Sequence, residues 1–239
     1  MVAAIPSSAG MLATHPEMSP DGTRLANVET TADSEDFQVE DGSIVTRTFD
    51  QATNTFGAVT TLVPNASGAS NYYPSWSPDG QWIAFTRTTG NSYADPSAEV
   101  WVVKADGSLP PIQLALADTT TGSLENSWAR WAPFPQSFGS NDEPLFYLTF
   151  SSIRPFGVRP LSTSVYGTDP QLWMAPFYPD RAIAGTDPSG PAFRVPFQDL
   201  ATGNHIAQWT DAVVIARKAD GSPLTQAEAV ANAKANAKR

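Results

Sequence analysis

Residues 73–84 read Tyr-Pro-Ser-Trp-Ser-Pro-Asp-Gly-Gln-Trp-Ile-Ala, and residues 15–26 read His-Pro-Glu-Met-Ser-Pro-Asp-Gly-Thr-Arg-Leu-Ala. The second stretch lies 58 residues before the first, and this offset holds at every position. Self-similarity at a fixed period indicates one supersecondary unit that is used several times along a chain. The repeat therefore predicts the fold more directly than it predicts the function.

The repeated Ser-Pro-Asp-Gly segment is typical of a tight turn between two strands. Proline presets φ at the first central position, aspartate can hydrogen-bond its own backbone, and glycine accepts a positive φ. Apolar runs on both sides predict a β-hairpin. Two further strands follow, so the unit is predicted to hold antiparallel strands at residues 72–76, 82–85, 99–103 and 111–115. Four short strands in about 40 to 60 residues is the size of one propeller blade.

Weaker copies of the unit share a short pattern, in which asparagine is followed by two variable residues, a small residue or proline, one variable residue and tryptophan. The pattern occurs at residues 71–76, 126–131 and 204–209. The tryptophans that end it are predicted to pack the sheets against one another. The chain is therefore predicted to be all-β, a β-propeller built from four-stranded antiparallel blades.

The spacing of the copies sets the expected domain organisation. Residues 1–210 are predicted to form the propeller segment, with long loops at 136–144 and 151–170. We expect about three blades and the first inner strand of another, near residues 13–66, 70–118, 125–200 and 204–210. The tail at 211–239 is rich in alanine and is expected to be either helical or disordered.

The run from Pro74 to Phe85, followed by Val-Trp-Val-Val-Lys-Ala-Asp-Gly at residues 100–107, resembles the TolB-like β-propeller repeat, which is similar in style to WD40 repeats. The resemblance covers most of residues 13–210. It implies a propeller of about six blades, of which this chain would hold half, as a fragment or C-terminal part. It also implies a bacterial periplasmic or cell-surface protein, and self-association is one way to complete the ring.

Composition excludes several classes of function. The net charge is −10 over 239 residues, whereas nucleic-acid binding needs a basic face. The chain has no cysteine, which excludes disulfides, thiol catalysis and thiolate metal sites. No run of residues is long and apolar enough to predict a membrane helix, and the first residues lack the pattern of an export signal.

The sequence predicts no catalytic role and no cofactor, because it lacks the nucleophile elbow and the glycine-rich phosphate or dinucleotide loops. His15 and His205 could form a metal or acid–base pair across the central channel, but a structural role for both is favoured. The acidic segment 33–41 could hold calcium, but its carboxylates lack the spacing of a calcium loop, so a solvated loop is favoured. We therefore predict no metal site.

Candidate partner-binding residues lie on the predicted inner strands. Asn71, Asn126 and Asn204 form a column that either contacts a ligand at the channel mouth or satisfies turn backbone. Arg130 and His205 complete the candidate set. Since side chains alternate along a strand, Arg130 shares its orientation with the equivalent residues of the other copies. These equivalents are Glu17, Ser75 and Gln208.

By resemblance, the predicted function is a non-catalytic module that binds a protein or peptide partner, with no nucleic acid and no membrane insertion. Two alternatives stay open. One is a propeller that gates substrate to the catalytic domain of a peptidase or glycan-acting enzyme, and the other is a calcium-dependent or sugar-binding surface lectin.

Overall fold

The computed structural model of the protein describes residues 4–31, 38–66, 68–119, 124–156, 169–199 and 202–210. Strands dominate these residues, and the helices among them are short, α1 (Ala115–Asp118) and α2 (Pro179–Ile183). Within this part of the chain no helix is long and apolar enough to cross a bilayer. The all-β fold class predicted from the repeat is confirmed.

The first sheet follows the predicted blade. Its strands are β1 (Leu12–Met18), β2 (Arg24–Thr30), β3 (Ser43–Asp50), β4 (Thr55–Phe56) and β5 (Thr60–Val63). All pairings are antiparallel: β2 lies between β1 and β3, and both β4 and β5 pair with β3. The sheet therefore has four successive strands, β1, β2, β3 and β5, and a short hairpin at the end of β3.

The second sheet is the most regular copy. Its strands are β6 (Ser70–Trp76), β7 (Trp82–Thr88), β8 (Glu99–Lys104) and β9 (Ile112–Gln113). Each strand pairs with the next one along the chain in antiparallel order. This meander is the four-strand unit that the Ser-Pro-Asp-Gly turn predicts.

The third sheet has one additional hairpin. Its strands are β10 (Ser127–Trp131), β11 (Gln136–Phe138), β12 (Glu143–Ser152), β13 (Gln171–Phe177) and β14 (Phe193–Arg194). The antiparallel order is β10-β12-β13-β14, and β11 pairs with the first residues of β12. The prediction of a plain loop at 136–144 is wrong, because β12 extends past β10 and its free backbone groups find partners in β11.

The repeated turns have the same hydrogen bonds. Ser77 Oγ donates to Asp79 Oδ1 at 2.5 Å and accepts from the backbone N–H of Trp82 at 2.9 Å. Ser19 Oγ makes the same bonds with Asp21 and Arg24, at 2.5 and 2.9 Å. The serine therefore ties both arms of each hairpin, which explains why the four-residue turn is repeated.

Two apolar clusters join the sheets. One lies between the first two sheets and includes Val28, Trp76 and Phe85. The other lies between the second and third sheets and includes Trp82, Trp131, Phe150 and Phe177. The chain therefore stacks sheet on sheet, as blades of a propeller do, and the predicted packing role of Trp76 and Trp131 is confirmed.

Each tryptophan of the shared pattern also bonds to the preceding sheet. Trp76 Nε1 donates to the carbonyl of Glu17, and Trp131 Nε1 donates to that of Ser75, each at 3.0 Å. Trp209 Nε1 donates to Thr149 Oγ1 at 3.1 Å, and that hydroxyl donates to the carbonyl of Arg130 at 3.2 Å. Trp76 and Trp131 therefore bond directly to a backbone carbonyl of the preceding sheet, whereas Trp209 reaches the carbonyl of Arg130 through the hydroxyl of Thr149.

The structure differs from the prediction at residues 204–210, which form no strand although Trp209 keeps its place. A strand needs a ladder partner, and β1 pairs with β2, β6 with β7 and β10 with β12, in each case a strand that comes later in the chain. For 204–210 such a partner would come after residue 210, outside the described residues, where the tail at 211–239, predicted to be helical or disordered, also lies. Self-association that completes the ring stays a prediction.

Candidate functional site

The inner strands β1, β6 and β10 share a β-bulge at the same place. In β6, Tyr72 pairs with Thr86 and Ser75 pairs with Ala84, so β6 holds one residue more than β7 between these pairs. A bulge bends a strand and redirects a side chain. The bulged residues have left-handed φ angles of 49°, 53° and 58° at His15, Tyr73 and Trp128, and the equivalent Ile206 has 49°.

The bulges bring three rings together, which we call the aromatic stack (His15, Tyr73 and Trp128). The rings of Tyr73 and Trp128 are stacked with their centroids 3.6 Å apart. The imidazole of His15 meets Tyr73 edge-on at 4.4 Å. Left-handed φ costs a non-glycine residue on the order of 1 kcal/mol, and contacts of this kind offset that cost. The stack marks the division between two cavities along the inner strands.

The first cavity, the upper pocket, has a volume of about 550 Å³ and lies towards the N-terminal ends of β6 and β10. Tyr72, Tyr73, Tyr93 and Trp128 form its aromatic wall. The rest comes from the loop between β7 and β8, from the residues at the start of β10 and the end of β12, and from the segments around Pro170 and Gly203, namely Glu125, Ser127, Ser151, Asp169, Pro170, Gly203 and His205. Volumes of this order are typical of ligand sites, and loops on a rigid scaffold commonly carry binding residues.

The charged residues of the upper pocket are acidic. Asp95, Glu125 and Asp169 line it from three different segments, and no lysine or arginine is among the described residues that do so. Burial raises the pKa of Glu125 above its ordinary 4.5, and the nearby Asp95 raises it further. Burial lowers the pKa of the His205 imidazole below 6.5, so at neutral pH this side chain does not offset the carboxylates.

The second cavity, which we call the lower ring (Glu17, Ser75, Arg130 and Gln208), has a volume of about 300 Å³. Glu17 Oε1 accepts from Ser75 Oγ at 3.1 Å and from the backbone N–H of Trp76 at 3.0 Å. Arg130 Nη1 donates to Glu17 Oε2 and forms an ion pair between the third and first sheets. Burial raises the pKa of Glu17, and Arg130 opposes that shift. The lower carboxylate therefore has its counter-ion within the chain.

The predicted asparagine column lies in backbone hydrogen bonds. Asn71 and Asn126 are buried, and their Nδ2 atoms donate to the carbonyls of Gly42 at 3.1 Å and Asp118 at 3.0 Å. Asn204 Nδ2 likewise donates to the carbonyl of Asp199 at 2.8 Å. These contacts match the backbone-satisfying alternative, and no part of Asn71 or Asn126 lines either cavity. Asn126 instead lines a third cavity, of about 480 Å³, beside β7 and β8, and the role of the column in partner binding stays a prediction.

The other two candidates lie in different cavities. Arg130 belongs to the lower ring, where it pairs with Glu17. His205 lies at the rim of the upper pocket, whereas His15 contacts Tyr73 and Trp128 in the aromatic stack. Among the described residues no group of three potential ligands could hold a metal ion. The structure therefore does not bring the predicted partner-binding residues into one site.

Sequence reasoning missed the aromatic wall and the acidic rim. The sequence did contain a signal for the bulge. Pro16 and Pro74 lie inside β1 and β6. Proline within a sheet is found at edge strands or at bulges. No comparable signal marked Asp95 or Glu125, because their approach depends on how the second sheet packs beside the third.

Comparison with solved structures finds several chains that are similar to this one. A protein from Agrobacterium tumefaciens described as "putative TolB" is 17% identical with a TM-score of 0.37, over 77% of this chain and 48% of that one. A prolyl endopeptidase is 16% identical with a TM-score of 0.38, over 71% and 21%. Hydrazine synthase from Kuenenia stuttgartiensis is 16% identical with a TM-score of 0.32, over 57% and 39%.

This chain thus spans about half or less of the length of these structures. Comparison with protein-family models and with curated proteins finds no match. These similarities carry no argument about the activity of this chain.

Proposed function

We propose that this chain is a non-catalytic binding module that holds a peptide segment of a partner protein in the upper pocket. The observation that carries the proposal is the pocket itself, a cavity of about 550 Å³ with four aromatic side chains in its wall. Aromatic residues supply much of the binding energy at protein interfaces, because they bury large apolar areas at a low cost in conformational entropy.

The wall of the pocket stands on paired strands. Tyr72 and Tyr73 lie on β6 and are buried, and Trp128 of β10 packs against the apolar cluster between the first two sheets. The loop between β7 and β8 adds Tyr93, which is 62% exposed. A partner would therefore meet a preformed wall and one exposed aromatic anchor, an arrangement that limits the entropy lost on binding.

One hydroxyl of the pocket supports a non-catalytic role. Ser151 Oγ donates to the carbonyl of Ser127 at 3.2 Å. A nucleophilic serine needs its hydroxyl directed to a general base within hydrogen-bond distance. The Ser151 hydroxyl is instead bonded to the backbone of the fold.

A selection from a displayed library of random twelve-residue peptides tests this function. We expect the wild-type chain to enrich peptides that lose most of their affinity for Tyr93→Ala and for Trp128→Ala. Gln208→Ala, an exposed change in the lower ring, is the matched control and should keep full affinity. Failure to enrich any peptide, or equal binding by all variants, would show that the upper pocket is not a peptide site.

A further inference from the structure

We infer that the upper pocket accepts a cationic side chain, arginine or lysine, from a basic peptide segment of the partner. This inference rests on the proposed function and adds the chemistry of the group that is recognised. Two features of the pocket carry it, the aromatic wall and the sign of the charges around it.

The aromatic wall suits a cation. A guanidinium or ammonium group is attracted to the face of an aromatic ring within about 6 Å. The chain uses this contact elsewhere, because Arg87 lies 4.2 Å from the ring centroid of Trp101 and Arg154 lies 4.8 Å from that of Trp173. In the upper pocket the rings of Tyr93 and Trp128 line the cavity, and none of its described lining residues is a lysine or arginine.

The charges point to the same occupant. Asp95, Glu125 and Asp169 approach the cavity from the β7–β8 loop, the start of β10 and the residues before β13. Carboxylates that are partly removed from water are costly unless a cation pairs with them. In the lower ring Arg130 forms an ion pair with Glu17. In the upper pocket a cationic side chain of the partner would pair with the carboxylates in the same way.

The size of the cavity favours a peptide over a free cation. The pocket volume of about 550 Å³ is within the range that holds a drug-sized ligand, so a basic side chain enters together with its neighbours in the peptide. An acidic or neutral peptide would leave the three carboxylates without a counter-ion. The pocket therefore selects by charge as well as by aromatic contact.

The test uses the peptides that the wild-type chain enriches. We expect each to contain at least one arginine or lysine, and replacement of that arginine by citrulline, or of that lysine by acetyl-lysine, to weaken binding about tenfold in calorimetry. Citrulline keeps the shape of arginine and removes only its charge. Enriched peptides without a basic residue, or equal affinity for both forms, would overturn the cationic assignment and leave the peptide-binding function in place.

Variants that remove one carboxylate charge test which pocket residues cause the preference for arginine over citrulline. Glu125→Gln and Asp169→Asn should each reduce the preference for arginine over citrulline, while the affinity for the citrulline form stays within about twofold. Glu143→Gln, an exposed change at the start of β12 outside both cavities, is the control and should keep the full preference. A preference unchanged in both pocket variants would also overturn the inference. Circular dichroism confirms that each variant is folded.

Discussion

The upper pocket and the lower ring are both lined by β6 and β10, yet they balance charge in opposite ways. In the lower ring Glu17 bonds to Arg130, Ser75 Oγ and the N–H of Trp76. In the upper pocket no described lysine or arginine lines the cavity that Asp95 and Glu125 border. This difference is the basis of our proposal that the charges of one cavity are paired within the chain and those of the other by a bound peptide.

The bulges separate the two cavities. In β6 and β10 the residues up to and including the bulged one line the upper pocket, and the residue two positions after it lines the lower ring. One repeated backbone irregularity thus produces two chemically different surfaces from copies of one sheet. The comparison can be tested at the stack that divides them and at the charges on either side.

The largest change in the free energy of unfolding is expected when the aromatic stack between the two cavities is disrupted. Tyr73→Ala deletes a buried ring that contacts His15, Tyr72 and Trp128, so it should lower the free energy of unfolding by about 3 kcal/mol. Tyr93→Ala removes an exposed ring of the same pocket and should change it by less than about 0.5 kcal/mol. Urea unfolding measures both, and similar losses in the two variants would contradict a structural role for the stack.

Removal of the Arg130 guanidinium should give the next largest loss of stability. Arg130→Met leaves the Glu17 carboxylate without its counter-ion, and we expect a loss of about 1–2 kcal/mol at pH 7. The exposed fractions of the two side chains, 33% and 25%, reduce the cost below the roughly 3–5 kcal/mol of a fully buried pair. In the double variant with Glu17→Gln most of this loss should be recovered.

The pH dependence of Arg130→Met follows from the same pair. Burial already raises the pKa of Glu17, and removal of Arg130 removes a contact that opposes this shift. Protonation of Glu17 then relieves the buried charge, so the stability deficit should shrink as the pH falls through the folded-state pKa, which lies above 4.5. A deficit that is constant between pH 7 and pH 4 would contradict a role for the carboxylate charge.

The charge of the upper pocket should appear in the pH dependence of binding. The pKa of Glu125 is raised above 4.5 and the pKa of His205 is lowered below 6.5. Acidification from neutral pH therefore removes the negative charge of Glu125 and adds a positive charge to His205. Affinity for an arginine peptide should therefore fall about tenfold between pH 7 and pH 4.5, as one charge-assisted contact is lost. The citrulline form is the control, and an equal fall for both forms would contradict the prediction.

The smallest change in stability is expected when the carboxylate of Glu125, in the upper pocket, is neutralised. Glu125→Gln should leave the free energy of unfolding unchanged or raise it by less than about 0.5 kcal/mol, because burial and Asp95 both disfavour its charge. Glu17→Gln, the matched change in the lower ring, should instead lower it, because Arg130 is left without the charge it pairs with. A loss of stability in Glu125→Gln equal to that in Glu17→Gln would remove the contrast between the two cavities.

Much of the fold could be predicted from local signals. The third strand of the second sheet, predicted at residues 99–103, is β8 (Glu99–Lys104), because alternating apolar residues between turns specify a strand with little help from the rest of the chain. The strand predicted at 204–210 was wrong for the converse reason: its pattern is present, but a strand forms only with a ladder partner.

The candidate site was less predictable. Asn71 and Asn126 were placed correctly at the starts of inner strands, yet whether an asparagine faces a channel or a backbone carbonyl depends on the neighbouring sheet. Arg130 was identified by its place in the repeat, but its partner Glu17 lies 113 residues away along the chain. Pattern alone could not say that these two side chains neutralise each other.

The amino-acid sequence by itself determined the turn, the four-strand unit and the sheet-packing tryptophans, because turn chemistry and side-chain alternation act between residues that are close along the chain. Only the tertiary structure decided that Glu17 pairs with Arg130 and that Asp95 and Glu125 border an aromatic cavity that no described lysine or arginine lines. The physical reason is that electrostatic and ring contacts depend on distance in space, and these distances are set by the stacking of whole sheets and by the bulges that redirect their inner strands.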